Sequence, residues 1–241
     1  MAGALLEVEG LSKRFGGFTA LNRVSLHVKA GERFGLIGPN GSGKTTLINC
    51  VSGALPTDGG RILFEGRDIT VLPAYRRTRL GIVRSFQIPK PFTSMTVLEN
   101  LGIPLEYAAH ARSHGADVAA EAMDILNTIG LEAKAHMKPA GLTQIEMRKL
   151  ELARAMAAKP KLLISDEAMA GLSSGEVDDI LTILFRLNEQ GITIIMIEHI
   201  MRAVMRFSER IVVLDAGDRI AEGTPDEIVK NAAVEKAYLG E

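Results

Sequence analysis

The chain has 241 residues, 46% of them hydrophobic, enough to bury a sizeable core in one large domain or two small ones. A formal net charge of −1, only 5% aromatic residues and no tryptophan argue against a global basic field or base-stacking platforms for nucleic acid. A single cysteine, Cys50, excludes an internal disulfide, acidic residues from Glu7 onward interrupt any signal peptide, and apolar runs such as Ile192–Ile197 fall far short of a membrane span, so a soluble cytoplasmic chain is expected.

The first part reads as β-rich. Leu6 and Val8, then Val24, Leu26 and Val28, alternate with polar residues as half-buried strands do. Phe34 to Ile37 reads as a buried strand. It leads into Gly38, Pro39, Asn40, Gly41, Ser42, Gly43, Lys44 and Thr45, which is Gly, four residues, then Gly-Lys-Thr. Glycines let the backbone curl so that successive N–H groups face one anion. Lys44 is placed to reach the β- and γ-phosphates of a nucleoside triphosphate, and the Thr45 hydroxyl to hold Mg²⁺. Thr46 to Val51 reads as the helix that must follow. Gly59-Gly60 turns the chain into a short strand from Arg61 to Phe64, and Gly81 to Phe86 is a further strand candidate that delivers Gln87 to its C-terminal end.

From about Thr96 to Ala158 Ala, Leu, Met and Glu dominate. Val118, Ala122, Ile125, Leu126 and Ile129 carry helical spacing that Gly130 stops. The last part returns to alternating β and α. Leu162 to Ile164 and Ile192 to Ile197 are near-continuous apolar strands of a buried parallel sheet, with a helix from Ser174 to Gln190 between them. Ile211 to Leu214 is another strand. Thr224, Pro225, Asp226 and Glu227 form a capping box that opens a C-terminal helix. The strand at 162–164 runs into Asp166 and Glu167, which places two carboxylates at the sheet edge where α/β folds bind ligands. Asp166 suits Mg²⁺, usually through water, and Glu167 suits a general base that orients water against the γ-phosphate. Gln87 and His199 follow strand ends on the same edge. Gln87 is in reach of Mg²⁺ and the attacking water, His199 of the γ-phosphate.

Together these residues resemble the ATP-binding subunit of an ABC transporter nearly end to end, with the phosphate loop at 38–45, the Q-loop residue Gln87, the Walker B pair Asp166-Glu167 and the H-loop residue His199. The resemblance implies an α/β P-loop NTPase with a RecA-like core at about 1–91 and 159–241. It also implies an N-terminal antiparallel β subdomain and an inserted α-helical subdomain at about 92–158, all in one domain. It implies ATP and Mg²⁺ as cofactors. The ATP set is Phe15, Gly38, Asn40, Gly41, Ser42, Gly43, Lys44, Thr45, Thr46 and Thr143, with Phe15 stacking on adenine. Thr45, Gln87 and Asp166 are the metal residues, and Glu167, His199, Lys44 and Gln87 the catalytic ones. Arg14 to Gly17, Phe86-Gln87, Ile197 to His199 and the tail from Gly223 to Glu241 are similar to the branched-chain amino acid importer ATPases. That similarity implies a second ATPase subunit, the same chain or a paralogue, two membrane permeases, indirectly an external solute-binding protein, and a place on the cytoplasmic face of the inner membrane. The ATPase of lipopolysaccharide export, with a similar tail, and a soluble non-transport ABC ATPase are the alternatives.

The family's signature, commonly Leu-Ser-Gly-Gly-Gln, is here Leu142, Thr143, Gln144, Ile145 and Glu146. Thr143 keeps a hydroxyl for a γ-phosphate oxygen, but both glycines are gone. Gln144 and Ile145 obstruct close backbone approach, and Glu146 opposes the phosphate that the helix dipole attracts. Ala168 replaces a usual proline, Ser173 stands where Asp is common, and Ser165 interrupts the apolar run before Asp166. These departures predict a chain whose own phosphate loop is intact but whose signature serves a partner's ATP poorly, as one half of an asymmetric dimer tolerates.

Overall fold

The computed structural model describes residues 4–85, 90–107 and 115–239. Strands β1 (Ala4–Phe15) and β2 (Phe18–Lys29) form a long antiparallel hairpin. The chain then runs through β3 (Arg33–Ile37) into helix α1 (Lys44–Ser52), and returns to the hairpin sheet with β4 (Gly59–Phe64) and β5 (Arg67–Asp68). The order of this four-stranded sheet is β2-β1-β4-β5. Helix α2 (Ala74–Leu80) precedes β6 (Ile82–Ser85). Three helices follow, α3 (Val97–Tyr107), α4 (Gly115–Ile129) and α5 (Gln144–Ala157), and they pack on one another. The rest is β7 (Leu162–Asp166), α6 (Ser174–Glu189), β8 (Thr193–Ile197), α7 (Met201–Phe207), β9 (Arg210–Asp215), β10 (Asp218–Gly223), α8 (Pro225–Val229) and α9 (Ala232–Leu239).

The second sheet has the order β10-β9-β3-β8-β7-β6, parallel except for β10, which folds back on β9. Its strands are apolar at successive positions because both faces are covered. Leu36, Ile164, Ile195, Ile197, Val212 and Leu214 point toward α1 and the antiparallel sheet. Ile37, Leu163, Ile194, Met196, Ile211 and Val213 point toward the other face, in one core with α6, α7 and the three middle helices. Among the described residues no helix is long and apolar enough to cross a membrane.

Four elements did not stand out in the sequence: β5, α2, α7 and β10. The C-terminal helix begins at the capping box, with Thr224 as N-cap, but is two short helices rather than one. Ser165, the polar break in the run before Asp166, is fully buried and its hydroxyl has no hydrogen-bond partner.

The end of α1 opposite the phosphate loop is closed by a buried charge. Arg77 of α2, only 2% exposed, donates to the carbonyls of Cys50 at 2.6 Å and Val51 at 2.9 Å, and to those of Leu72 and Thr70, both at 2.8 Å. Cys50 and Val51 lie in the last turn of α1, whose terminal carbonyls have no partner within the helix. A cation at a helix C-terminus also complements the dipole. Arg77→Met keeps most of the volume and removes these donors, leaving the Cys50 carbonyl only the Gly53 N–H at 3.2 Å. A loss of about 3 kcal/mol is expected in urea unfolding, and a loss below about 1 kcal/mol would show that water replaces the guanidinium.

Candidate active site

The parallel strands end on one edge of the sheet, and the phosphate loop, Asp166, Glu167 and His199 lie at or follow the ends of β3, β7 and β8 there. Between β3 and α1 the chain makes a tight loop. Ser42 N–H donates to the Pro39 carbonyl at 3.2 Å, and Leu47 N–H to the Gly43 carbonyl at 2.8 Å. Two glycines are demanded by their surroundings. Gly38 has φ +150°, and a Cβ there would lie 2.1 Å from the Leu214 carbonyl oxygen at the end of β9. Gly43, at φ +104°, would push a Cβ to 2.6 Å from the Ala20 carbonyl oxygen of β2. The loop is pinned from outside as well, since Gly217 N–H donates to the Ser42 carbonyl at 3.1 Å.

Lys44, the first residue of α1, is buried. Its ammonium donates to the carbonyls of Gly38 at 2.7 Å and Pro39 at 3.0 Å, and lies 3.4 Å from Ser42 Oγ. Burial lowers its pKa from the ordinary lysine value, while the carboxylates of Glu167 and Asp166 pull it back up. The loop's own cation is thus within electrostatic reach of two acids.

The acids are set by strand register. Asp166, the last residue of β7, pairs with Ile197 of β8, and the next residue, Glu167, donates its N–H to the Ile197 carbonyl at 2.9 Å. Glu167 has φ +49°, the left-handed region that a glutamate rarely adopts and that costs on the order of 1–3 kcal/mol. That kink takes the chain off the strand, and Glu167 Oε1 lies 3.1 Å from His199 Nε2. His199 comes two residues after the end of β8. The intervening Glu198 is buried, and its carboxylate accepts the Met169 N–H at 2.8 Å. Burial raises the Glu198 pKa to about 7, against the lowering effect of the Met169 bond.

One cavity of about 270 Å³ brings most of these groups together, lined by Phe15, Phe18, Ala20, Asn40 to Thr46, Glu167 and His199. Phe15 and Phe18 face each other across the Gly16-Gly17 turn of the β1–β2 hairpin, 49% and 60% exposed. Asp166 precedes Glu167 but does not itself line this cavity, and it is held by Arg84 of β6, whose Nη2 and Nε lie 2.5 and 3.2 Å from Asp166 Oδ2. Phe18 and Arg84 were not expected from the sequence. Phe18 becomes legible only once the hairpin register is known, and no local signal marks Arg84. Thr45 and Asp166 offer a hydroxyl and a carboxylate. With phosphate oxygens this is the hard, oxygen-only donor set that suits Mg²⁺, which seldom uses an all-protein cage. No group of three or more His, Cys, Asp and Glu side chains that could hold a metal occurs among the described residues.

Gln87 lies outside the described residues. Thr143 does not line the cavity and is the N-cap of α5 in a complete capping box. Its hydroxyl accepts the Glu146 N–H at 3.4 Å, and the Glu146 carboxylate accepts the Thr143 N–H at 2.8 Å and the Lys134 ammonium at 2.7 Å. The bond to Lys134, followed by that to Thr143 N–H, lowers the Glu146 pKa. Glu146, expected to face a phosphate as a bare charge, is therefore already paired. The Gln144 amide lies against Gly171, where a Cβ would come within 2.8 Å of its Nε2, and Ile145 is half-buried against the helical core. Ser173 is an N-cap with Glu176 in the same pattern.

Comparison with known proteins agrees with this geometry. A family model for ABC transporters matches residues 21–170, and one for branched-chain amino acid ATP-binding cassette transporters matches 219–241. The high-affinity branched-chain amino acid transport ATP-binding protein BraF of Pseudomonas aeruginosa is 38% identical over 258 residues, with all of both chains covered. The structure of the ADP conformation of MJ1267, an ATP-binding cassette of an ABC transporter, superimposes with a TM-score of 0.90 at 35% identity, covering 99% of this chain and 100% of that one. A dimeric post-hydrolysis state of the cassette MJ0796, bound to ADP and Pi, gives 0.82 at 27% identity, covering 91% and 98%. The chain therefore belongs to the ATP-binding cassette family of ABC transporters, among the branched-chain amino acid transport ATP-binding proteins, and is an ATPase.

Proposed function

We propose that the chain powers import of branched-chain or related amino acids by hydrolysing ATP between this cavity and a second cassette. The observation that carries the reading is the contact of Glu167 with His199 in the cavity that also holds Lys44. In this reading Phe15 stacks on adenine, and Gly38, Asn40, Gly41, Ser42, Gly43 and Thr46 cradle the phosphates with their backbone and side-chain donors. Lys44 leaves its loop carbonyls to reach the β- and γ-phosphates. Glu167 takes a proton from the attacking water, and His199 orients Glu167 and reaches the γ-phosphate. Thr45, Asp166 and Gln87 would hold Mg²⁺, which would supply positive charge against the phosphates.

The dimeric cassette relative supports a second ATPase subunit as partner. Two permeases, and through them an external solute-binding protein, complete the transporter on the cytoplasmic face of the inner membrane. An open cavity of about 400 Å³ between β6, α2 and the helical layer is lined by Tyr75, Phe92, Pro104, Tyr107 and Arg154, and offers aromatic and apolar surface to a permease. Tyr75 and Tyr107 are 57% and 68% exposed. The segment near Gln87 adjoins this groove in sequence and would carry closure of the dimer to the membrane subunits. We place the helical insertion at about 92–158, with the core on either side.

The closed capping box supports a poor signature. Two N–H donors at the start of α5, those of Thr143 and Glu146, are spent within the box, and in this reading the second site of the dimer holds ATP more than it hydrolyses it.

Two measurements test these roles. Glu167→Gln should bind ATP normally and turn over at least about 100-fold more slowly, whereas Lys44→Ala should weaken ATP binding itself. Glu167→Gln at wild-type rate, or Lys44→Ala at wild-type affinity, contradicts the assignment. The asymmetry predicts that the purified chain alone hydrolyses ATP slowly and that addition of a paralogous cassette restores turnover. Brisk hydrolysis by the isolated homodimer would refute it.

A further inference from the structure

The roles above assign nothing to the cation bonded to Asp166. Arg84 lies on β6, three residues before Gln87, and its side chain is 12% exposed. Nη2 and Nε both donate to Oδ2 of Asp166, at 2.5 and 3.2 Å, and Nη1 donates to Asn49 Oδ1 at 2.6 Å. Asn49 lies on α1, five residues after Lys44. A single guanidinium therefore joins the strand that leads to Gln87, the strand that ends in Asp166 and the helix that begins with Lys44. Both bonds to Asp166 fall on one oxygen, and Oδ1 carries neither.

We propose that Arg84 is a positioning residue of the ATPase, fixing Asp166 by its Oδ2 so that Oδ1 is presented to Mg²⁺ or its water shell. The inference rests on the reading of Asp166 as a metal residue. A carboxylate can rotate about its terminal bond, and a metal bound through it gains from any partner that removes that freedom. Partners of this kind are commonly worth 10–100-fold in metal affinity. Arginine suits the task because its planar fork makes three bonds in fixed directions, which an ammonium does not reproduce. The guanidinium also carries a positive charge that repels the metal, and the two effects have opposite signs. Arg84→Lys separates them, because it keeps the charge and loses the fork.

The test titrates Mg²⁺ against binding of the fluorescent analogue TNP-ATP to the full chain. Arg84→Lys should raise the Mg²⁺ midpoint about tenfold and leave TNP-ATP affinity in EDTA unchanged. Asn49→Ala, which removes the bond from Nη1 to Asn49 without touching Asp166, should raise the midpoint by less, and it keeps the test open if Arg84→Lys does not fold. An unchanged or lower midpoint in Arg84→Lys overturns the proposal. So does an equal loss of affinity in EDTA, which would mark a general structural role. Asp166→Asn tells the two readings apart. If it leaves the midpoint where it was, the metal role of Asp166 fails. If it moves the midpoint while Arg84→Lys does not, only the role of Arg84 fails.

Discussion

The site depends on the parallel pairing of β7 with β8. That register sets Asp166 against Ile197, lets the Glu167 N–H close on the Ile197 carbonyl, and brings the residues just beyond the two strands to one place. A slip of one residue would send Asp166 to the opposite face and bury a carboxylate in the apolar core. The cost of burying that carboxylate opposes the slip, so the residue at the strand end helps to fix the register that the site needs. The left-handed backbone of Glu167 is a local cost that the surrounding pairing sustains. It lies at the one residue proposed to act as base.

The phosphate loop is held from the outside in a similar way. Backbone from β2, from the end of β9 and from the β9–β10 turn approaches its glycines so closely that no side chain fits at Gly38 or Gly43. At the far end of α1, Arg77 closes the last carbonyls. The loop therefore needs little reorganisation to take a phosphate. Lys44, bonded to two of its carbonyls, is the group that must move.

Much of this was legible in the sequence because it is local. The Gly-Lys-Thr spacing, the apolar strand ahead of Asp166 and Glu167, and the capping box at Thr224 each depend on neighbours within a few residues. What was not legible depends on distant pairing. Arg84 and Asp166 are far apart in the chain, and only the β6–β7 register makes them meet. Phe18 joins Phe15 through the hairpin, and Glu198 reaches Met169 across the sheet edge. Strand β10 carries charged residues and pairs on one side only, so it lacks the apolar run that marks its neighbours. At Thr143 a legible signal took another meaning. Ser/Thr-x-x-Glu recurs at 96–99, 143–146, 173–176 and 224–227, and in each the hydroxyl and the carboxylate bond reciprocally to the backbone N–H groups. Glu146, expected to oppose a phosphate, is thereby paired with the Thr143 N–H and Lys134.

The central claim is that Glu167 and His199 act as one unit on the γ-phosphate. The most direct measurement is a double-mutant cycle on ATP turnover with Glu167→Gln, His199→Ala and the pair. Residues that work as a unit give strongly non-additive losses. The account predicts that the double variant is no slower than the slower single variant. Losses that multiply across the two positions would show that they act independently, and that their 3.1 Å contact is incidental to hydrolysis.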